Sequence, residues 1–163
     1  MSNNEVISAA QKIAEEKIVI FSLGEELYGL PIAQVKEVTG ILITTTIPNV
    51  PDYIIGLIDV RGEVMILIDM QKRFNLALAV KHKKQHTLIC ELEGKKLGIL
   101  VDKVKGIISI PSSTIQTPDR VLTSKIDASC IKGMTLYEKK ALVILNILGI
   151  MTAKDIKLMQ KAV

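Results

Sequence analysis

The chain has 163 residues, of which 48% are hydrophobic but only 3% aromatic, and it contains no tryptophan. A core made of Ile, Val and Leu favours β-sheet. The net charge of +4 comes almost wholly from lysine, without the arginine clusters and stacking aromatics typical of nucleic-acid binding. Residues 1–17 are too polar for a signal peptide, and the longest aliphatic block is too short to span a bilayer. We therefore expect a cytoplasmic protein.

The first half of the chain predicts an N-terminal extension followed by hairpins. Residues 1–16 have a helical pattern, but a terminal helix this short frays unless it docks. Apolar runs separated by turn residues then predict strands at 17–23, 27–30, 37–44, 53–60 and 64–68, with helical turns at 31–35 and 71–75. We expect Gly62 to supply a positive φ at the turn after residue 60, which leaves Arg61 at its tip.

The second half repeats this strand-rich pattern after a polar stretch. Residues 81–86 are rich in lysine and histidine, and we expect a break between two lobes near 77–86. Further strands are predicted at 87–92, 96–101, 106–110, 130–136 and 141–147, with a long loop at 111–128. The C-terminal region, 151–163, has the pattern of a helix beginning at Thr152.

The two halves form an internal repeat. Gly98 follows Gly29 by 69 residues, and the residues around these two glycines match in apolar pattern. Gly133 follows Gly56 by 77 residues, so the second copy carries eight extra residues in its long loop. At this second offset Asp69 aligns with Asn146, and Arg61 aligns with Glu138. Two strand-rich copies of about 70 residues predict two small closed barrels, because closure removes exposed strand edges.

No group of residues predicts catalysis. Cys90 and Cys130 lie in apolar runs without Cys-x-x-Cys spacing, as expected of buried thiols in a reducing compartment. His82 and His86 are four residues apart in the polar connector, and two ligands alone make a weak metal site. Nucleophile elbows and phosphate-binding loops are missing from the sequence. We expect a binding protein with no catalytic residue, no metal and no cofactor.

Several motifs resemble those of the CheW family, the coupling proteins of bacterial chemotaxis. The resemblance covers about residues 17–150. It rests on Val-Lys-Glu-Val at 35–38, Ile-Pro-Asn-Val-Pro at 47–51, Asp-Val-Arg-Gly at 59–62 and Leu-Gly-Ile-Leu-Val-Asp at 97–102, with further matches at 21–32, 68–69, 110–118 and 131–133. Related domains occur in the regulatory part of CheA and in CheV, and the length of this chain favours the stand-alone coupling protein.

The resemblance implies an all-β fold of two SH3-like five-stranded β-barrels around a shared hydrophobic core, with short helical turns and a C-terminal helix. It implies an adaptor between methyl-accepting chemotaxis receptors and the histidine kinase CheA, which reaches the membrane only through the receptors. The residues that it implies for receptor binding are Val35, Glu37, Gly56, Arg61 and Gly62. Those that it implies for kinase binding, at the barrel ends, are Ile41, Ile43, Ile47, Gln116 and Val121.

Two departures from the family pattern bear on these sites. The family commonly has asparagine where this chain has Asp59, and the sequence suggests that this carboxylate pairs with Arg61. The stretch 116–119 lacks some prolines that the family often shows.

Two other classes of function remain open at this point. One is a small-barrel nucleic-acid-binding protein, suggested by the basic net charge. The other is a hydrolase that uses Asp59 and Asp69, which lie ten residues apart in one predicted hairpin.

Overall fold

The computed structural model describes residues 14–76, 85–117, 126–151 and 157. Strands dominate these residues, as the aliphatic composition predicts. The strands are β1 Glu15–Leu23, β2 Glu26–Pro31, β3 Val35–Thr39, β4 Ile54–Val60, β5 Glu63–Asp69, β6 His86–Leu92, β7 Lys95–Val101, β8 Lys103–Pro111, β9 Ile131–Tyr137 and β10 Lys140–Leu145. The helices are α1 Met70–Arg73 and α2 Ile147–Ile150, with 3-10 turns at Ile32–Gln34, Ser112–Thr114 and Ala128–Cys130.

The strands form two five-stranded sheets, each curled as an SH3-like barrel, so the predicted all-β fold is confirmed. The first barrel has the strand order β8-β1-β2-β10-β9, and the second has the order β3-β6-β7-β5-β4. Most neighbouring strands are antiparallel, but β2 pairs with β10 and β5 pairs with β7 in parallel. Exchanging the strands of one repeat copy for those of the other converts the first order into the second.

The two copies of the repeat exchange strands, so the expected break near 77–86 does not separate the lobes. The strands that flank this stretch, β5 and β6, both belong to the second barrel. Each barrel takes two strands from one copy and three from the other. The repeat alone does not reveal this exchange of strands. A hairpin has matching partner strands in both copies, so the sequence permits it to pair with either one.

A shared hydrophobic core lies between the barrels, as predicted. In β5, Met65 and Leu67 face the interior of the second barrel, whereas Ile66 and Ile68 face the shared core. In β1, Ile18 and Ile20 face the first barrel and Phe21 faces the shared core. Strands buried on both faces carry continuous aliphatic runs, and this explains why the sequence shows runs here and no alternation.

The two short helices begin at aligned residues of the repeat, with caps that the sequence analysis did not predict. The aligned residues Asp69 and Asn146 each cap a helix, accepting hydrogen bonds from the backbone N–H groups of Lys72 and Leu148. The helix α2 itself was not predicted, and its start was assigned to the preceding strand. These caps are local interactions, of a kind that sequence patterns can report.

The chain ends differ in part from the expectations. Strand β1 begins at Glu15, so the helical pattern of 1–16 is wrong for its last residues, and residues 1–13 lie outside the described part of the chain. Of the predicted C-terminal helix, only Lys157 is described, and it is helical. The predicted strand at 37–44 ends at Thr39.

Arg73 links the two copies of the repeat. From α1, its Nε donates to the carbonyl of Ile150 at 2.9 Å and its Nη2 donates to the carbonyl of Gly149 at 3.3 Å. The guanidinium also lies over the ring of Tyr53, 5.2 Å from the centroid. One planar cation therefore caps the end of α2 in the second copy and stacks on an aromatic ring of its own copy.

We expect Arg73→Ala to lower the free energy of unfolding by about 2 kcal/mol, because two carbonyls lose hydrogen bonds from a charged donor. Urea unfolding followed by circular dichroism measures the change. Replacing the exposed neighbour Lys72 by alanine is the control, expected to change stability by less than about 0.5 kcal/mol. Equal effects of the two variants would contradict the linking role of Arg73.

Candidate protein-interaction site

The turn between β4 and β5 holds Arg61 at the surface. Val60 pairs with Glu63 across a two-residue turn in which Arg61 has φ 50° and Gly62 has φ 86°. The positive φ predicted for Gly62 is confirmed, and Arg61 shares it. Such a backbone costs about 1–2 kcal/mol for a residue with a side chain. Asp59 supports the turn, since its Oδ1 accepts a hydrogen bond from the N–H of Gly62 at 2.8 Å.

Arg61 forms an ion pair with Glu37 and not with Asp59. Its Nη1 donates to one carboxylate oxygen of Glu37 at 3.4 Å, and its Nη2 donates to the other. The Arg61 side chain is 77% exposed. The suggested pairing of Arg61 with Asp59 is wrong because that carboxylate is engaged by the turn N–H. The ion pair spans the seam of the second barrel, where the edge strands β3 and β4 meet.

Gly56 lets another backbone segment pack closely against β4 next to this seam. The segment after β3 makes an isolated bridge to β4, in which Thr45 and Leu57 exchange N–H to carbonyl hydrogen bonds of 2.9 and 2.8 Å. A Cβ on Gly56 would lie 2.2 Å from the carbonyl oxygen of Thr45. Val35 is half-buried and packs against the shared core. Of the five residues predicted for receptor binding, Glu37, Arg61 and Gly62 thus lie together at the surface. The other two, Gly56 and Val35, pack beneath them.

The residues predicted for kinase binding lie in matched segments of the two barrels. Ile41 and Ile43, in the segment that bridges to β4, are 67% and 95% exposed. Ile47 is half-buried against the shared core. Gln116 is exposed and bridges to Met134 of β9 as Thr45 does to β4, while Val121 lies outside the described residues.

Sequence reasoning missed several exposed aliphatic side chains on the strands. Val38 and Ile107, at matched positions of β3 and β8, are 45% and 59% exposed, and Leu136 on β9 is 75% exposed. All three lie on edge strands. The repeat could have indicated that Leu136 is exposed. It aligns with Asp59, and a charged residue at the matched position is unsuited to a core.

A CheW-like domain model matches residues 17–155. The chain belongs to the CheW family. It is 32% identical over 145 residues to the chemotaxis protein CheW of Treponema pallidum, covering 86% of this chain and 85% of that protein. The CheW of Bacillus subtilis is 28% identical over 148 residues, with 91% and 92% coverage. The crystal structure of the scaffolding protein TtCheW from Thermoanaerobacter tengcongensis has a TM-score of 0.78 and 36% identity, covering 86% of this chain and 90% of that chain.

The polar groups considered for chemistry have structural roles in this CheW-like fold. The carboxylates of Asp59 and Asp69 each accept a backbone N–H, from Gly62 in the turn and from Lys72 in α1. Burial raises the pKa of the Cys90 thiol, and it also raises the pKa of Cys130 despite the nearby guanidinium of Arg73. Both cysteines are buried and free, as predicted. Among the described residues, no three His, Cys, Asp or Glu side chains are grouped to hold a metal ion.

The aromatic and histidine side chains, and the helices, bear on what the CheW-like domain can contact. The aromatic rings of Phe21, Tyr28 and Phe74 are buried and stack on one another in the shared core, which leaves them unable to stack on bases. His86 is half-buried at the start of β6, and His82 lies outside the described residues. Within the part of the chain that the structure describes, no helix is long and apolar enough to cross a membrane.

We expect Gly56→Ala to destabilise the second barrel by about 2 kcal/mol, within the range for overpacking, because the new methyl group must displace the backbone at Thr45. Chemical denaturation measures the loss, and amide exchange of Leu57 reports the broken bridge. Gly40→Ala is the matched control, since no atom lies within 4 Å of its Cβ position. An unaltered Leu57 exchange rate in Gly56→Ala would refute this account of the seam.

Proposed function

We propose that this CheW-family protein is a non-catalytic cytoplasmic adaptor that couples methyl-accepting chemotaxis receptors to the histidine kinase CheA. The observation that carries the proposal is the pair of unlike surfaces on one rigid body. One is the charged tip at Arg61 and Glu37, and the other is the exposed aliphatic segment at Ile41 and Ile43. Family membership supports the adaptor class, and TtCheW is itself described as a scaffolding protein.

The receptor surface is proposed at the seam of the second barrel, with Arg61, Glu37 and Gly62 at its exposed centre. The ion pair there is largely solvated, and exposed pairs contribute only about 0–1 kcal/mol. A receptor can therefore replace one partner at little cost, and the guanidinium is already held on a two-residue turn. Gly56 and Val35 contribute by keeping the edge strands in place.

The kinase surface is proposed on Ile41 and Ile43, with Ile47 anchoring their segment to the shared core. Contiguous exposed aliphatic side chains usually mark contacts with other proteins. Gln116 of the first barrel is also assigned to the kinase surface. So is Val121, which lies outside the described residues. The nucleic-acid alternative is not supported. Phe21, Tyr28 and Phe74 are buried and are therefore not available to stack on bases.

Arg61→Ala should weaken binding to a receptor cytoplasmic-tip fragment about tenfold, equivalent to 1.4 kcal/mol, with the fold unchanged. Isothermal titration measures the affinity. The matched control is Glu138→Ala, at the equivalent turn of the first barrel, which should bind receptor normally. An affinity unchanged by Arg61→Ala would exclude this tip as the receptor site.

Ile43→Asp should weaken binding to the CheA regulatory domain by at least about tenfold, since a carboxylate would be desolvated in the contact. Receptor binding should stay normal in the same variant, which separates the two surfaces. Ile107→Asp, an exposed isoleucine on the first barrel, serves as the control. If both variants bind CheA as the unaltered protein does, the kinase surface lies elsewhere.

A further inference from the structure

The seams of the two barrels share a backbone but differ in chemistry. In the second barrel, Glu37, Asp59 and Arg61 place charges along the seam. At the matched positions the first barrel has Gly106, Leu136 and Glu138. The ion pair that joins the edge strands of the second barrel therefore has no counterpart in the first, because Gly106 has no side chain.

An open groove of about 1090 Å³ lies along the seam of the first barrel. Its walls come from β8, β9 and the segment between them. Thirteen of the described residues line the groove, and none of these carries a charge, although 23% of the whole chain is charged. Ile108, Met134 and Tyr137 are among its apolar lining residues, and its polar ones are serines, threonines and Gln116. This lining disfavours a charged ligand, which would lose its hydration without a partner.

One wall of the groove is the edge of β9, which is only partly paired by the described residues. Met134 exchanges two hydrogen bonds of 2.8 Å with Gln116, through backbone groups that face away from β10. Backbone orientation alternates along a strand, so the N–H and C=O of Leu136 face the same way. The chain turns off at Ser112–Thr114, and no described residue bonds to Leu136 on that side. Its side chain is 75% exposed.

We propose that the first barrel binds an extended, uncharged segment of a partner protein, which adds to β9 as a strand and continues the pairing begun by Gln116. Free backbone groups on an edge strand provide affinity for such a segment, and neighbouring apolar side chains select its residues. The uncharged lining specifies aliphatic and hydroxyl side chains. This inference rests on the β9 edge and uses no residue near Arg61 or Ile43; Gln116, which the proposed kinase surface includes, borders the groove.

The test uses an end-capped eight-residue peptide of alternating threonine and valine, with the full-length protein labelled for NMR. At saturating peptide, the exchange rate of the Leu136 amide should fall at least about tenfold, as expected for a newly hydrogen-bonded strand. The same peptide with every amide N-methylated should give no protection. Unaltered exchange at Leu136, or equal binding of the N-methylated peptide, would overturn the proposal.

A substitution tests the contribution of the Leu136 side chain. Leu136→Asp introduces the residue that the second barrel carries at the matched position, and it should reduce peptide affinity at least about tenfold. Val38→Asp, at an exposed valine of the second barrel, should leave it unchanged. If Leu136→Asp does not fold, the exchange measurement on the unaltered protein still decides. Sedimentation showing a dimer that Leu136→Asp dissociates would assign the groove to a second copy and refute the proposal.

Discussion

The exchange of strands between the two copies of the repeat is the constraint on which the rest of the structure depends. Neither copy contains a complete barrel, and the parallel pairs β2–β10 and β5–β7 join them. The central strands β2 and β7 need glycine at matched positions. A Cβ on Gly29 would meet Ile18 at 2.4 Å, and one on Gly98 would meet Ile58 at 2.8 Å. Because each copy contributes strands to both barrels and the barrels share a core, the proposed partner surfaces belong to one folded unit.

The repeat preserves the scaffold and varies the surface. Matched bridges at Thr45 and Gln116 secure the seams of both barrels, and matched caps at Asp69 and Asn146 begin both short helices. The seam side chains, in contrast, differ: the second barrel has the Arg61–Glu37 ion pair, whereas the first has Gly106 in place of Glu37 and Leu136 in place of Asp59. Backbone geometry is set by buried contacts, whereas exposed side chains change at little cost in stability. A duplicated fold can thus supply two chemically different surfaces, as an adaptor requires.

Prediction from sequence succeeded where the deciding interactions are local. The positive φ at Gly62 and the turn after Pro31 both depend on neighbours within a few residues. It failed where distant residues compete for one group. Asp59 is two residues from Arg61 in sequence, yet it accepts the turn N–H, while Glu37 takes the guanidinium from another strand. Gly56 lies against the carbonyl of Thr45, a close approach that the sequence pattern did not indicate, and its role in receptor binding stays a prediction.

The sequence by itself determined the all-β class, the repeat, the position of most strands and the membership of the CheW family. Aliphatic runs and turn residues encode these features directly, because burial on both faces of a strand leaves no polar position. Only the tertiary structure decided which copy each hairpin joins, which carboxylate pairs with Arg61 and where the described residues leave the edge of β9 unpaired, at Leu136. These outcomes depend on contacts between residues far apart in the chain, and the two copies present near-equivalent alternatives that the sequence pattern does not distinguish.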